Sequence, residues 1–266
     1  MWQDAGQGFR YFFLLRCFGI GGVFLAVAGG GSPVPVQAAI GHVQQVREFF
    51  VDFKGESQRV TYSIYVPPHE EGRLMPVLVC IGGLPMNGED YAQSDAQECT
   101  DESWLEFADK HQMMILGLGF LFIEKDWPNN ESYQYPQVWS GRALMDVLDI
   151  IEKDYPIDRQ ALYMFGISAG AQYSVRLAQQ HPDMVKAVAA HAAGGFDPPK
   201  EHIPVRFLIT VGEFDNQEIT RLEFAKIFAE QCRVLGIDLT LEIIPGIAHR
   251  QTEAQNEMSR RFFSDN

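Results

Sequence analysis

Hydrophobic positions along this chain change period repeatedly, from unbroken runs of strand length to the one-in-three-or-four spacing of a helix face. Two β-rich runs, residues 46–53 and 59–66, flank Lys54-Gly55-Glu56-Ser57 and predict an opening β-hairpin. Beyond them, strand-like and helix-like segments alternate. Residues 76–81 form an apolar run of buried-strand length, 102–111 carry a helical pattern, and 113–117 read as another strand. Leu144, Val147, Leu148 and Ile151 recur at i, i+3, i+4, i+7 on a helix, and the apolar run 161–165 precedes a helix-forming stretch at 171–180. Strands at 184–190, 207–211 and 239–244 follow, interleaved with helices at 219–235 and about 252–263. Such alternation predicts an α/β architecture: a mostly parallel sheet flanked by helices on both faces.

Composition alters this picture mainly at the N-terminus. The 266 residues, 46% hydrophobic and 21% charged, suffice for one well-packed domain, and no repeat or linker divides them. Residues 1–38 differ from the rest. Arg10 and Arg16 precede an uncharged apolar segment ending near Gly29, and Val36-Gln37-Ala38 offers small side chains for cleavage. That is the pattern of a secretory signal peptide, which leaves 39–266 as a single folded domain. The apolar segment is short and glycine-rich for a membrane anchor, so export to a periplasm or the cell exterior is expected, with no stable membrane insertion after cleavage.

Loss of the leader removes two cations and one anion, taking the formal charge from −14 to −15. A field of that sign repels nucleic acid, and no basic stripe overrides it. Cys80, Cys99 and Cys232 remain; Cys80 lies in an apolar run and reads as a small buried hydrophobe, so Cys99 with Cys232 is the expected candidate for a disulfide. No C-x-x-C or H-E-x-x-H spacing occurs, and neither a metal nor a cofactor is expected.

The candidate chemistry centres on Gly166-Ile167-Ser168-Ala169-Gly170, a G-x-S-x-G pentapeptide between a strand and a helix. A strand that reverses sharply into a helix strains its apex residue and exposes the serine oxygen at a helix N-terminus. A serine hydroxyl needs a base to take its proton, and an imidazole serves best when a carboxylate orients it. In a parallel sheet such groups gather beyond the carboxyl ends of strands. Asp215 follows one strand and His249 the next, in the chain order Ser168, Asp215, His249 of a nucleophile elbow. Asp197 and Glu213 are the competing acids. His181, His191 and His202 read as a helix-end residue, a strand-end residue and a loop residue.

A tetrahedral intermediate requires backbone donors aimed at its oxyanion. The amide of Ala169 and that of Leu84, in the loop Gly82-Gly83-Leu84-Pro85, are the candidates. The aromatic segment 120–139, with Phe120, Phe122, Trp127, Tyr133, Tyr135 and Trp139, either walls a substrate pocket or packs as a surface loop. Trp139 and Phe214 are the candidate substrate contacts.

With these residues in place the chain, from about residue 62 onward, resembles the α/β-hydrolase superfamily. Within it the chain is similar to secreted esterases of the poly(3-hydroxybutyrate) depolymerase-like and feruloyl or acetyl-xylan esterase-like groups. The resemblance rests on Ile81-Gly82-Gly83-Leu84, Asn87-Gly88-Glu89-Asp90-Tyr91, Phe107-Ala108-Asp109-Lys110-His111, the pentapeptide, and the Asp and His loops. Relatives commonly carry His-Gly where this chain has Gly82-Gly83. The resemblance implies a serine esterase that cleaves a small or polymer-linked ester through an acyl-enzyme. A peptidase of the prolyl-oligopeptidase type and a non-catalytic binding protein share the fold and are the alternatives.

Overall fold

A computed structural model describes residues 42–43, 46–84, 96, 98–121, 130–192, 195, 197–215 and 221–265. The expected signal peptide at 1–38, Asn87 to Tyr91, and Phe122 and Trp127 lie outside these residues. The chain runs β1 (His42–Val43), β2 (Arg47–Phe53), β3 (Glu56–Val66), β4 (Met75–Ile81), α1 (Glu102–His111) and β5 (Met114–Phe120). It continues through α2 (Ser140–Ile151), β6 (Ile157–Ile167), α3 (Ala169–Gln180), β7 (Val185–His191), β8 (Arg206–Gly212), α4 (Arg221–Leu235), β9 (Leu239–Ile244) and α5 (Glu253–Ser264).

The described strands form one sheet in the order β1-β3-β5-β4-β6-β7-β8-β9, with β2 also paired to β3. β2 and β3 make the expected antiparallel hairpin, with Phe53 opposite Glu56. The turn is tighter than the four residues expected, because Lys54 and Gly55 both take positive φ, the two-residue geometry whose twist matches the flanking strands. β3 is antiparallel to β5, and from β5 across to β9 every pairing is parallel. The mostly parallel sheet flanked by helices is therefore what forms. β6 runs longer than its apolar stretch: Asp158, Arg159 and Gln160 hide a strand that joins β4 through Met75 and Ile157, with a register shift before Val77.

Side chains alternate across the strands and split the core in two. Val77, Val79, Ile81, Leu162 and Met164 point to one face, beneath α2, α3 and α4. Leu78, Cys80, Tyr163 and Phe165 point to the other, beneath α1 and α5. This division corrects the cysteine expectation. Cys99 is on the same face as Cys80 and bonds to it, Cα to Cα 6.3 Å, whereas Cys232 is buried on the opposite side of the sheet and is a free thiol. Burial pushes the Cys232 thiol up to about 12, so it stays protonated and inert. The apolar run around Cys80 signals a buried strand, and a buried disulfide fits there as well as a lone cysteine does.

Candidate active site

Because β4, β6, β8 and β9 are parallel, their carboxyl ends lie along one edge of the sheet, and the loops leaving them converge. Ser168 leaves β6 and immediately starts α3, with φ 52° and ψ −112°. A non-glycine residue held in that region stores about 1–3 kcal/mol, which the surroundings must enforce. Here the Ser168 N–H donates to the His191 carbonyl at 2.9 Å and the Ser168 carbonyl accepts from Gln172 N at 3.1 Å, pinning both sides of the apex. The flanking glycines serve close approach. A Cβ on Gly166 would lie 2.4 Å from the Gly170 carbonyl oxygen, and one on Gly170 would lie 2.2 Å from Ile81 O and 2.4 Å from Gly82 O. The elbow therefore packs directly on the end of β4 and its loop.

His249 lies between β9 and α5, and Asp215 just after β8. Their loops are stitched together: Glu213 N donates to Ile244 O at 2.9 Å, Phe214 N to Ile247 O at 2.8 Å, and Gly246 N to the Glu213 carboxylate at 2.9 Å. Glu213, weighed as an acid, holds the histidine loop by this last bond. The outcome is a continuous line: Ser168 Oγ lies 3.0 Å from His249 Nε2, and His249 Nδ1 lies 3.0 Å from Asp215 Oδ2. Asp215 is 1% exposed and His249 32% exposed, so the carboxylate is sealed while the imidazole meets solvent. Asp215 Oδ1 accepts from Arg221 Nη1, also at 3.0 Å. Asp197 is far more open, 85% exposed and paired loosely with Arg176.

Leu84 packs against the core beside the elbow, and its neighbour Gly83 stands with a notional Cβ 4.0 Å from Ser168 Oγ. Ala169 is the first residue of α3, so its N–H has no intrahelical acceptor. The described aromatics Phe120, Tyr133 and Trp139 pack together. Phe120 stacks on Tyr133 and meets Trp139 edge-on, and the Tyr133 hydroxyl donates to Gly82 O at 3.1 Å, bracing the loop that carries Leu84. Trp139 is thereby corrected from substrate contact to core residue: it is 3% exposed and its indole N–H is spent on Glu131 O. Phe214 is exposed beside Asp215.

Two supporting groups have roles that the sequence did not show: Arg176 was not singled out, and His191 was read only as a strand-end residue. Arg176, buried on α3, donates to Gln134 O, Gln172 Oε1 and Gly195 O and stacks over Tyr135 at 4.2 Å, tying Gln134 and Tyr135 to the helix that follows Ser168. Its signal was an arginine on the inward face with Tyr173 and Leu177. His191, at the end of β7, is fully buried and bonds Thr210 Oγ1 through Nδ1 and Ser259 Oγ through Nε2, each at 2.7 Å. Gln255 Nε2 donates to Thr210 Oγ1, and Ser259 Oγ donates to Gln255 O. Only a neutral ring protonated at Nε2 lets Thr210 donate to Nδ1 while Ser259 accepts from Nε2, satisfying every member. Burial holds the His191 pKa down to about 3.

Residues 56–198 match the model of the Esterase family, described as "Putative esterase". The chain belongs to the Esterase family. This esterase is a carboxylic ester hydrolase on an α/β-hydrolase fold. Its fold is similar to that of a ferulic acid esterase from Anaeromyces mucronatus, at 17% identity and TM-score 0.58, covering 85% of this chain and 90% of that one. It is also similar to an S-formylglutathione hydrolase from Staphylococcus aureus, at 13% identity and TM-score 0.57, covering 84% and 98%. Another such hydrolase, from Agrobacterium tumefaciens, aligns at 16% identity and TM-score 0.57, covering 82% and 92%. No curated protein sequence matches this esterase.

Proposed function

We propose that this esterase is an exported serine hydrolase with Ser168 as nucleophile, His249 as base and acid, and Asp215 as the group that orients His249. The observation that carries the reading is the line of two 3.0 Å contacts from a strained serine through an imidazole to a sealed carboxylate. Ser168 Oγ attacks the ester carbonyl as its proton passes to His249 Nε2. The Asp215 carboxylate stabilises the imidazolium that forms. The amides of Leu84 and Ala169 receive the oxyanion, the imidazolium protonates the departing alkoxide, and an acyl-Ser168 ester remains. Water then attacks that ester by the same route, releasing the acid and returning the proton to Ser168.

Export rests on the leader-like residues 1–38, with 39–266 as the working domain, and is supported by the Cys80–Cys99 disulfide, a bond that persists in oxidising compartments. Phe214 is the apolar surface offered to the acyl or alcohol part of a small or polymer-linked ester. The test is a panel of short and medium acyl esters, a feruloyl ester, an acetylated sugar, S-formylglutathione and a proline-containing peptide amide, given to the secreted protein and to Ser168→Ala. Ester turnover and covalent capture of a fluorophosphonate are expected, and both should vanish in Ser168→Ala. Turnover that survives the substitution rules out Ser168, and turnover of the amide alone replaces the esterase reading with a peptidase.

A further inference from the structure

The geometry points to Arg221 as a positioning residue that locks the orientation of the Asp215 carboxylate. This rests on the proposed roles of Ser168, His249 and Asp215. Asp215 is 1% exposed, and a carboxylate so enclosed needs charged or strongly polar partners on both oxygens. Among the described residues each oxygen has one: Oδ2 faces His249 Nδ1 and Oδ1 faces Arg221 Nη1, both at 3.0 Å. A carboxylate turns about its Cβ–Cγ bond, so tying Oδ1 fixes where Oδ2 points. The backbone bonds between the 213–215 and 244–247 segments place the two loops but leave that rotation free.

Arg221 lies six residues beyond Asp215, in α4. A guanidinium suits the task because it is planar and stays charged across the pH range in which an esterase works. Arg221 is 21% exposed and touches no reacting atom that the proposed reaction requires, so its influence passes through Asp215.

The test measures kcat and KM for p-nitrophenyl butyrate with the full exported chain. Arg221→Met should lose about tenfold to a hundredfold in kcat with KM changed by less than about twofold. Arg221→Lys should keep more of the rate than Arg221→Met. Guanidinium ion at tens of millimolar should raise kcat of Arg221→Ala and leave the wild type unmoved, a response that a loss of stability alone would not give. In an Asp215→Asn background, the further change Arg221→Met should cost less than about threefold. If Arg221→Met does not fold, Arg221→Lys and its cycle with Asp215→Asn give the same reading. Unchanged kcat in the Arg221 variants, or an equal loss with and without Asp215, overturns the proposal. Rate that is Ser168-dependent beside an unaffected Arg221→Met removes Arg221 alone, whereas rate that survives Ser168→Ala brings down the proposed mechanism and this inference with it.

Discussion

Acid stability of this esterase should be governed in measurable part by His191. The ring is fully buried, its partners are two hydroxyls, and its pKa sits at about 3. In the unfolded chain the same imidazole titrates near 6.5. Below that value the unfolded state takes up a proton that the native state refuses, so the contribution is fully present above about pH 6.5 and is lost as the pH falls toward 3. The slope approaches about 1.4 kcal/mol per pH unit below 6.5, which amounts to about 2 kcal/mol between pH 6.5 and 4.5. Carboxylates add their own acid dependence, so the measurement is a difference. Urea unfolding of wild type and His191→Gln at pH 7.5, 6.5, 5.5 and 4.5, disulfide intact, should give curves that converge on acidification. His191→Gln starts lower at pH 7.5, because the Thr210 and Ser259 hydroxyls lose their ring partners, each worth about 1 kcal/mol. Parallel curves would mean that His191 protonates in the native state, and the network as assigned would be wrong.

Two further outcomes follow from the same geometry. Gly170→Ala drives a methyl to 2.2 Å and 2.4 Å from two backbone carbonyl oxygens of the β4 end, so the elbow and the Leu84 loop must separate; kcat should fall by at least about tenfold, and an unaltered rate with an unaltered melting temperature would show that the contact yields freely. Replacing Cys80 and Cys99 together by serine opens a cross-link between residues 19 apart in sequence, which should cost about 3 kcal/mol in chemical unfolding; no change would show that the bond does not form in the folded protein.

The periodic runs and the G-x-S-x-G pentapeptide were enough to read the alternating strands and helices, the opening hairpin and the candidate residues Ser168, Asp215 and His249, because these signals are local: burial repeats with the pitch of the element, and a strand-to-helix turn needs particular residues at fixed offsets. The charge of −14 was equally legible and bears on partners, not on fold. Other features depended on which face of the sheet a residue meets. Cys80 pairs with Cys99 because both are on one face and Cys232 is on the other, and Trp139 turns inward because Phe120 and Glu131 receive it. The length of β6 was hidden for the same reason: Asp158, Arg159 and Gln160 are polar, and only the pairing of Ile157 with Met75 of β4 shows that the strand starts before them. Arg176, His191 and Arg221 acquire their partners across 4 to 68 residues of chain, from Gln172 to Ser259. Local sequence determines what each segment forms; only closure of the sheet decides which buried polar group answers which, since a buried donor or acceptor must find its partner wherever the chain brings one.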